Sequence, residues 1–259
     1  MRASETAMLR VVGICKNFGG VAAVADVSFS VAPRELVALI GPNGAGKTTC
    51  FNVVTGFTKP RTGQVFFDGC DVTGRQPHAM ARLGVVRTFQ KTSILRRLSV
   101  FENVLAAHHL QGATALWRTF FPGRNERESE RRLRASAAAI LELLGLGARM
   151  NSEAGSLSSG ELRLLEIAIA LGAKPRLLML DEPAAGLNTQ QAVQLADTLK
   201  RLVGTSVEAL LMVEHNMSVV MSIADRIVVM NLGRKLVEGT PEQIRADPRV
   251  VEAYLGKAA

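Results

Sequence analysis

The segment Leu36-Val37-Ala38-Leu39-Ile40-Gly41-Pro42-Asn43-Gly44-Ala45-Gly46-Lys47-Thr48-Thr49 passes from apolar residues, through a glycine-rich turn, to a lysine and two hydroxyls. The apolar run reads as a buried strand, and Thr48–Val54 as the start of a helix. Between them Gly41 to Thr48 fills every fixed position of G-x-x-x-x-G-K-[ST]. Glycines let backbone N–H groups curl around phosphate oxygens without Cβ clashes, and the helix N-terminus adds partial positive charge. Lys47 is placed to neutralise the β/γ-phosphates, Thr48 to ligate Mg²⁺, and Thr49 to offer a hydroxyl near the α-phosphate. Gly41, Pro42, Asn43, Gly44, Ala45, Gly46, Lys47, Thr48 and Thr49 are therefore the candidate ligands of ATP.

Before this segment, Leu9–Val12 and Val27–Val31 read as strands, with Gly19-Gly20 as a turn. After it, Gln64–Asp68 alternates toward another strand. Short connections favour antiparallel pairing here. From about Ser93 to Leu171 the periodicity is helical, with a charged excursion at 113–130 that carries Trp117, Phe120, Phe121 and a Pro122-Gly123 break. Strand signals return at Leu177–Leu180, Ala209–Val213, Ile227–Met230 and Lys235–Val237, and Gln190–Val203 is an amphipathic helix. Strands alternating with helices at both ends imply an α/β fold with a mostly parallel core.

Leu177–Leu180 runs into Asp181 and Glu182. A buried strand delivers Asp181 to its C-terminal edge, where it can hold Mg²⁺, and Glu182 can orient or deprotonate an attacking water. Leu157-Ser158-Ser159-Gly160-Glu161 opens the helix leading into that strand, and Ser158 with the Gly160 N–H makes an anion site at a helix N-terminus.

This last segment resembles the LSGGQ signature of ATP-binding cassette proteins, the ATPases of ABC transporters, and the family's other motifs stand in order across essentially the whole chain. The resemblance implies a P-loop NTPase (RecA-like) core, an N-terminal antiparallel β subdomain and an inserted α-helical subdomain. On that plan residues 1–259 are one ATPase domain, with 1–90 and 161–259 as the core and 91–160 as the helical insert. Phe18 is placed like the aromatic that stacks on adenine. Gln90, in Arg87-Thr88-Phe89-Gln90, looks like the glutamine that reaches the metal and attacking water, Ala185–Asn188 holds the D-loop position, and His215 looks like the switch histidine on the γ-phosphate. The catalytic set implied is Glu182, His215 and Gln90, and the metal set Thr48, Gln90 and Asp181. Ser158 and Gly160 would face the ATP of an opposite subunit in a head-to-tail dimer, homo- or heteromeric. Three positions depart from the pattern: Ser159 replaces Gly, Glu161 replaces Gln, and Asn188 replaces Asp.

Leu165–Ala168, Asp181–Asn188, Val213–His215 and the tail Glu238–Ile244 with Val251–Gly256 are similar to importers of branched-chain amino acids, and the excursion to the ATPase with the longer helical insert. This implies a partner ATPase, transmembrane permeases, a periplasmic or extracytoplasmic solute-binding protein, no nucleic acid, and a peripheral place on the cytoplasmic face of the inner (plasma) membrane. In the family, 92–103 faces the permease. Related cassettes that power lipid or lipopolysaccharide export are the alternative.

Composition agrees. The chain has 259 residues, 47% of them apolar, enough for a sizeable core. No apolar run reaches the roughly 18–20 residues of a membrane span. The net charge of +8 is dispersed rather than gathered into a nucleic-acid stripe, and three cysteines, Cys15, Cys50 and Cys70, match neither a disulfide framework nor a metal spacing.

Overall fold

A computed structural model describes residues 7–88, 94–110 and 124–255. In chain order, the hairpin β1 (Leu9–Phe18) and β2 (Val21–Val31) precedes β3 (Leu36–Ile40), the phosphate loop and α1 (Lys47–Val54). Then come β4 (Thr62–Phe67), β5 (Cys70–Asp71), α2 (Pro77–Arg82), β6 (Val85–Arg87), and three longer helices, α3 (Val100–Leu110), α4 (Arg124–Leu143) and α5 (Ser159–Gly172). The chain returns through β7 (Leu177–Asp181), α6 (Thr189–Leu202), β8 (Ala209–Val213) and α7 (Met217–Ile223). The hairpin β9 (Arg226–Asn231) and β10 (Arg234–Gly239), then α8 (Pro241–Ala246) and α9 (Pro248–Leu255), complete it.

Two sheets result. The smaller is antiparallel, in the order β2-β1-β4-β5, with Leu9 opposite both Val31 and Phe67. The larger runs β10-β9-β3-β8-β7-β6 and is parallel except for β10. The expected antiparallel subdomain and mostly parallel core are both present.

Alternation along the core strands assigns the two faces. Val37 and Leu39 join Leu177, Met179, Leu211, Val213, Val228 and Met230 beneath α1, whose Cys50, Phe51 and Val54 fill the space up to the small sheet. Leu36, Ala38 and Ile40 join Leu178, Leu180, Leu210, Met212 and Ile227 on the other face, against the helical side of the molecule. Helix α1, and with it Lys47, is thus wedged between two sheets, and the end of the glycine-rich loop is fixed by packing from both.

Several elements differ from the sequence expectation. Strands β1 and β2 are longer than Leu9–Val12 and Val27–Val31, because register shifts between Val11 and Asn17 interrupt the period-2 pattern by which a strand is recognised. The three-residue β6 is too short to carry a pattern, and it exists by pairing with β7. Part of the excursion at 113–130 is helical from Arg124, where Glu128–Arg132 and Glu130–Arg134 make i,i+4 pairs; Trp117, Phe120 and Phe121 lie outside the described residues.

The wedge is testable through its thiol. Cys50 is fully buried, and burial pushes its pKa up to about 12, whereas Cys70 is exposed. Iodoacetamide at pH 8 is expected to alkylate Cys70 in the native protein and Cys50 only after denaturation, read by peptide mass spectrometry. Equal native rates would contradict the packing of α1 between the sheets.

Candidate active site

Strand β3 ends at Ile40 and the chain turns at once. Gly41 has φ +150°, and a Cβ there would lie 2.1 Å from the Met230 carbonyl oxygen of β9. Gly46, at φ +92°, caps α1, and its Cβ would fall 2.2 Å from the Ala23 carbonyl oxygen of β2. Only glycine fits at either place. Ala23 lies near the β1–β2 turn, so the hairpin end that bears Phe18, 55% exposed, sits beside the loop.

Lys47 is the first residue of α1 and is buried. Its Nζ donates to the carbonyl oxygens of Gly41 at 2.7 Å and Pro42 at 3.0 Å. Burial lowers its pKa, opposed by the negative charges of Glu182 and Asp181. Asn43, Gly44 and Thr48 are exposed at the loop, while Thr49 is half-buried. The loop therefore presents backbone N–H groups, a hydroxyl and an ammonium in one short segment.

Asp181 ends β7 and is 2% exposed. Its Oδ2 accepts from Arg87 Nη2 at 2.5 Å, and its buried Oδ1 has no hydrogen-bond partner among the described residues. A buried carboxylate oxygen without a donor is free to take a hard cation, and the exposed Thr48 hydroxyl is another oxygen donor of the kind Mg²⁺ takes. Glu182 follows at φ +49°, a left-handed conformation uncommon outside glycine, secured by its N–H bond to the Val213 carbonyl at 2.8 Å. Its carboxylate lies 3.8 Å from His215 Nδ1.

Glu214, unassigned by sequence reasoning, organises this corner. Its side chain is fully buried; Oε1 accepts from Ala184 N–H at 2.8 Å, and Oε2 accepts from His215 N–H at 2.6 Å and Asn216 N–H at 2.7 Å. One carboxylate thus joins the segment after Glu182 to the segment carrying His215. The signal existed in the sequence: Ala209–Val213 is an apolar strand ending in an acid, as Leu177–Leu180 is before Asp181. Arg87 was likewise missed as a partner of Asp181. Gln90 lies outside the described residues.

Ser158 is the N-cap of α5, and a capping box closes it: its hydroxyl accepts from Glu161 N–H, and the Glu161 carboxylate accepts from Ser158 N–H. That bond, first, and then Arg149 at 3.0 Å hold the Glu161 carboxyl below the usual range. Glutamate is thereby as competent as glutamine for the capping geometry, and Ser159 takes no left-handed φ that would require glycine. A Cβ on Gly160 would lie 2.9 Å from Gln191 Nε2. Gln191 itself completes a capping box with Asn188, the N-cap of α6, a position where Asn and Asp serve equally well. All three departures from the sequence pattern are accounted for by local backbone chemistry.

Residues 24–185, more than half of the chain, match the family described as ABC transporter. The chain belongs to the ABC transporter family. A second description, branched-chain amino acid ATP-binding cassette transporter, matches residues 234–259 of this ABC ATPase. The chain is 43% identical over 251 residues to the high-affinity branched-chain amino acid transport ATP-binding protein LivG of Escherichia coli K12, covering 97% of this chain and 98% of that one. It is 44% identical, at the same coverage, to BraF of Pseudomonas aeruginosa, which carries the same description. Among solved structures, the ADP conformation of MJ1267, an ATP-binding cassette of an ABC transporter, superposes with a TM-score of 0.84 at 33% identity, covering 97% of this chain and 99% of that one. The chain is therefore an ABC ATPase of the LivG/BraF type, with a cassette fold.

The Glu214 strut has a measurable cost of removal. Glu214→Ala leaves three backbone N–H groups without an acceptor, at about 1–3 kcal/mol each. Urea unfolding is expected to show a loss of at least about 3 kcal/mol. A loss within about 0.5 kcal/mol, as at an ordinary surface site, would mean the strut carries no stability.

Proposed function

We propose that this chain is one ATPase of an importer for branched-chain amino acids or related small polar molecules. The observation that carries the substrate class is the near-full-length identity to LivG and BraF together with the match of residues 234–259 to the branched-chain description. Nothing in those comparisons favours the lipid-export alternative.

On this reading the nucleotide phosphates lie on the backbone N–H groups of 41–48, with Lys47 drawn from its loop carbonyls to the β/γ-phosphates. Mg²⁺, when bound, supplies charge neutralisation on the transferred phosphoryl group, and Thr48, Asp181 and Gln90 are the residues that hold it. Glu182 accepts the proton of the attacking water, and its left-handed backbone fixes the carboxylate's direction. His215, tied to Glu182 through the Glu214 strut, donates toward the γ-phosphate as negative charge develops there. Phe18 stacks on the adenine.

Ser158 and Gly160 serve the ATP of a second ATPase subunit, so each site is completed by a partner in a head-to-tail pair. The segment 92–103 of the helical insert is the part that meets the transmembrane permeases, and this chain takes the role of the subunit with the longer helical insert. No helix among the described residues is long and apolar enough to cross a membrane. We place the chain at the cytoplasmic face of the inner membrane, held there by its permeases, with an extracytoplasmic solute-binding protein as an indirect partner.

Two experiments test this. Glu182→Gln is expected to bind ATP with wild-type affinity, lose at least a hundredfold in turnover, and accumulate as a dimer by size exclusion in ATP. Wild-type turnover in that variant would remove Glu182 as the base. Affinity purification of the tagged chain from its native membranes is expected to bring down a second ATPase and a permease pair, whose reconstituted complex takes up radiolabelled leucine, isoleucine or valine. Recovery of lipid-export permeases instead would overturn the import assignment.

A further inference from the structure

Arg87 stands where the two halves of the phosphate site meet. It ends β6, opposite Met179 of β7. From there Nη2 donates to Asp181 Oδ2 at 2.5 Å, and Nη1 donates to Asn52 Oδ1 of α1 at 2.5 Å. The guanidinium carbon lies 4.9 Å from the Phe51 ring centroid and 5.6 Å from that of Phe57. The Arg87 and Asp181 side chains are 10% and 1% exposed. One end of the guanidinium thus holds the metal-site carboxylate, and the other holds the helix that begins with Lys47.

Arg87 is the only cation in ion-pair contact with Asp181 among the described residues, since Lys47 turns its ammonium to the loop carbonyls of Gly41 and Pro42. A buried carboxylate without a counter-charge is costly, and a guanidinium, being planar and permanently charged, is the side chain suited to supply one. The pairing is also one-sided. It occupies Oδ2 and leaves Oδ1 buried and unpartnered.

We propose that Arg87 is a positioning residue for the metal site: it supplies the counter-charge of Asp181 and reserves Oδ1 for the divalent cation. This rests on the reading of Asp181 as a metal residue. Two consequences follow from charge alone. With Arg87 present, the site is close enough to neutral to admit a polyphosphate before or without the metal. Without it, Asp181 repels metal-free nucleotide and attracts a divalent cation more strongly. Arg87 therefore sets how far nucleotide affinity depends on Mg²⁺.

The test compares trinitrophenyl-ATP affinity of the full chain in EDTA with that in Mg²⁺. Arg87→Met is expected to raise the ratio of the two dissociation constants at least tenfold, chiefly by weakening metal-free binding, while Arg87→Lys stays within about threefold of wild type by keeping the charge. If Arg87→Met does not fold, the double variant with Asp181→Asn is expected to fold and to melt above the single one, because both members of the buried pair are then neutral. A folded Arg87→Met whose ratio lies within twofold of wild type, or a double variant no more stable than the single, overturns the proposal. An Asp181→Asn chain that binds Mg²⁺-ATP as wild type does overturns the metal assignment beneath it as well, so the two failures are separable.

Discussion

The site depends on a place where three backbones meet without side chains between them. The Gly46 Cα faces the Ala23 carbonyl of β2, and Gly233, in the β9–β10 turn, closes the triangle. Gly233 N–H donates to the Ala45 carbonyl at 3.1 Å, and the Gly233 carbonyl accepts from Ala25 N–H at 2.7 Å. The phosphate loop is thus bonded to an antiparallel turn at the far end of the chain, which is itself bonded to the small sheet. Side chains would hold these segments apart and the loop would lose its curvature. Catalytic precision here is set by main-chain contacts, which no rotamer change can loosen.

Around that clamp the remaining groups are arranged as two strands of one design. Strand β7 ends in Asp181 and β8 is followed at once by Glu214, adjacent strands each delivering an acid past its last apolar residue. Their tasks differ because their partners differ. Asp181 meets a guanidinium on one oxygen and keeps the other open, whereas Glu214 meets backbone N–H groups on both and is closed. An open carboxylate can take a ligand, and a closed one can only hold its neighbours still. Glu182 and His215 lie next to these two in sequence and inherit their positions from them.

This contrast marks how far the sequence could be read. The glycine-rich turn after β3 and the acids at the end of β7 were legible because each is written in contiguous residues: an apolar strand, then the turn or the acid. The helix start at Ser158 was legible for the same reason, since a capping box spans four residues. The pairing of Arg87 with Asp181 and the reach of Glu214 to Ala184 were not, because those partners stand 94 and 30 residues away and only the sheet order brings them together. Strand β6 escaped for a related reason: three residues carry no period, and its existence is a property of β7's free edge. The departures at Glu161 and Asn188 sit in ordinary capping boxes, and Ser159 opens α5 at a φ that does not require glycine.

The order of the larger sheet also bears on how the chain is made. Strand β3 is flanked by β8 and β9, synthesised about 170 and about 190 residues after it, and the Gly233 clamp arrives later still. A nascent chain that has emerged as far as α6 holds a completed small sheet and a β3 whose two edges are unpaired. During that interval the most apolar strand of the core is an open template for another chain. The glycine-rich loop is thus written early in the chain and takes its clamped shape only after β8, β9 and the Gly233 turn have been added.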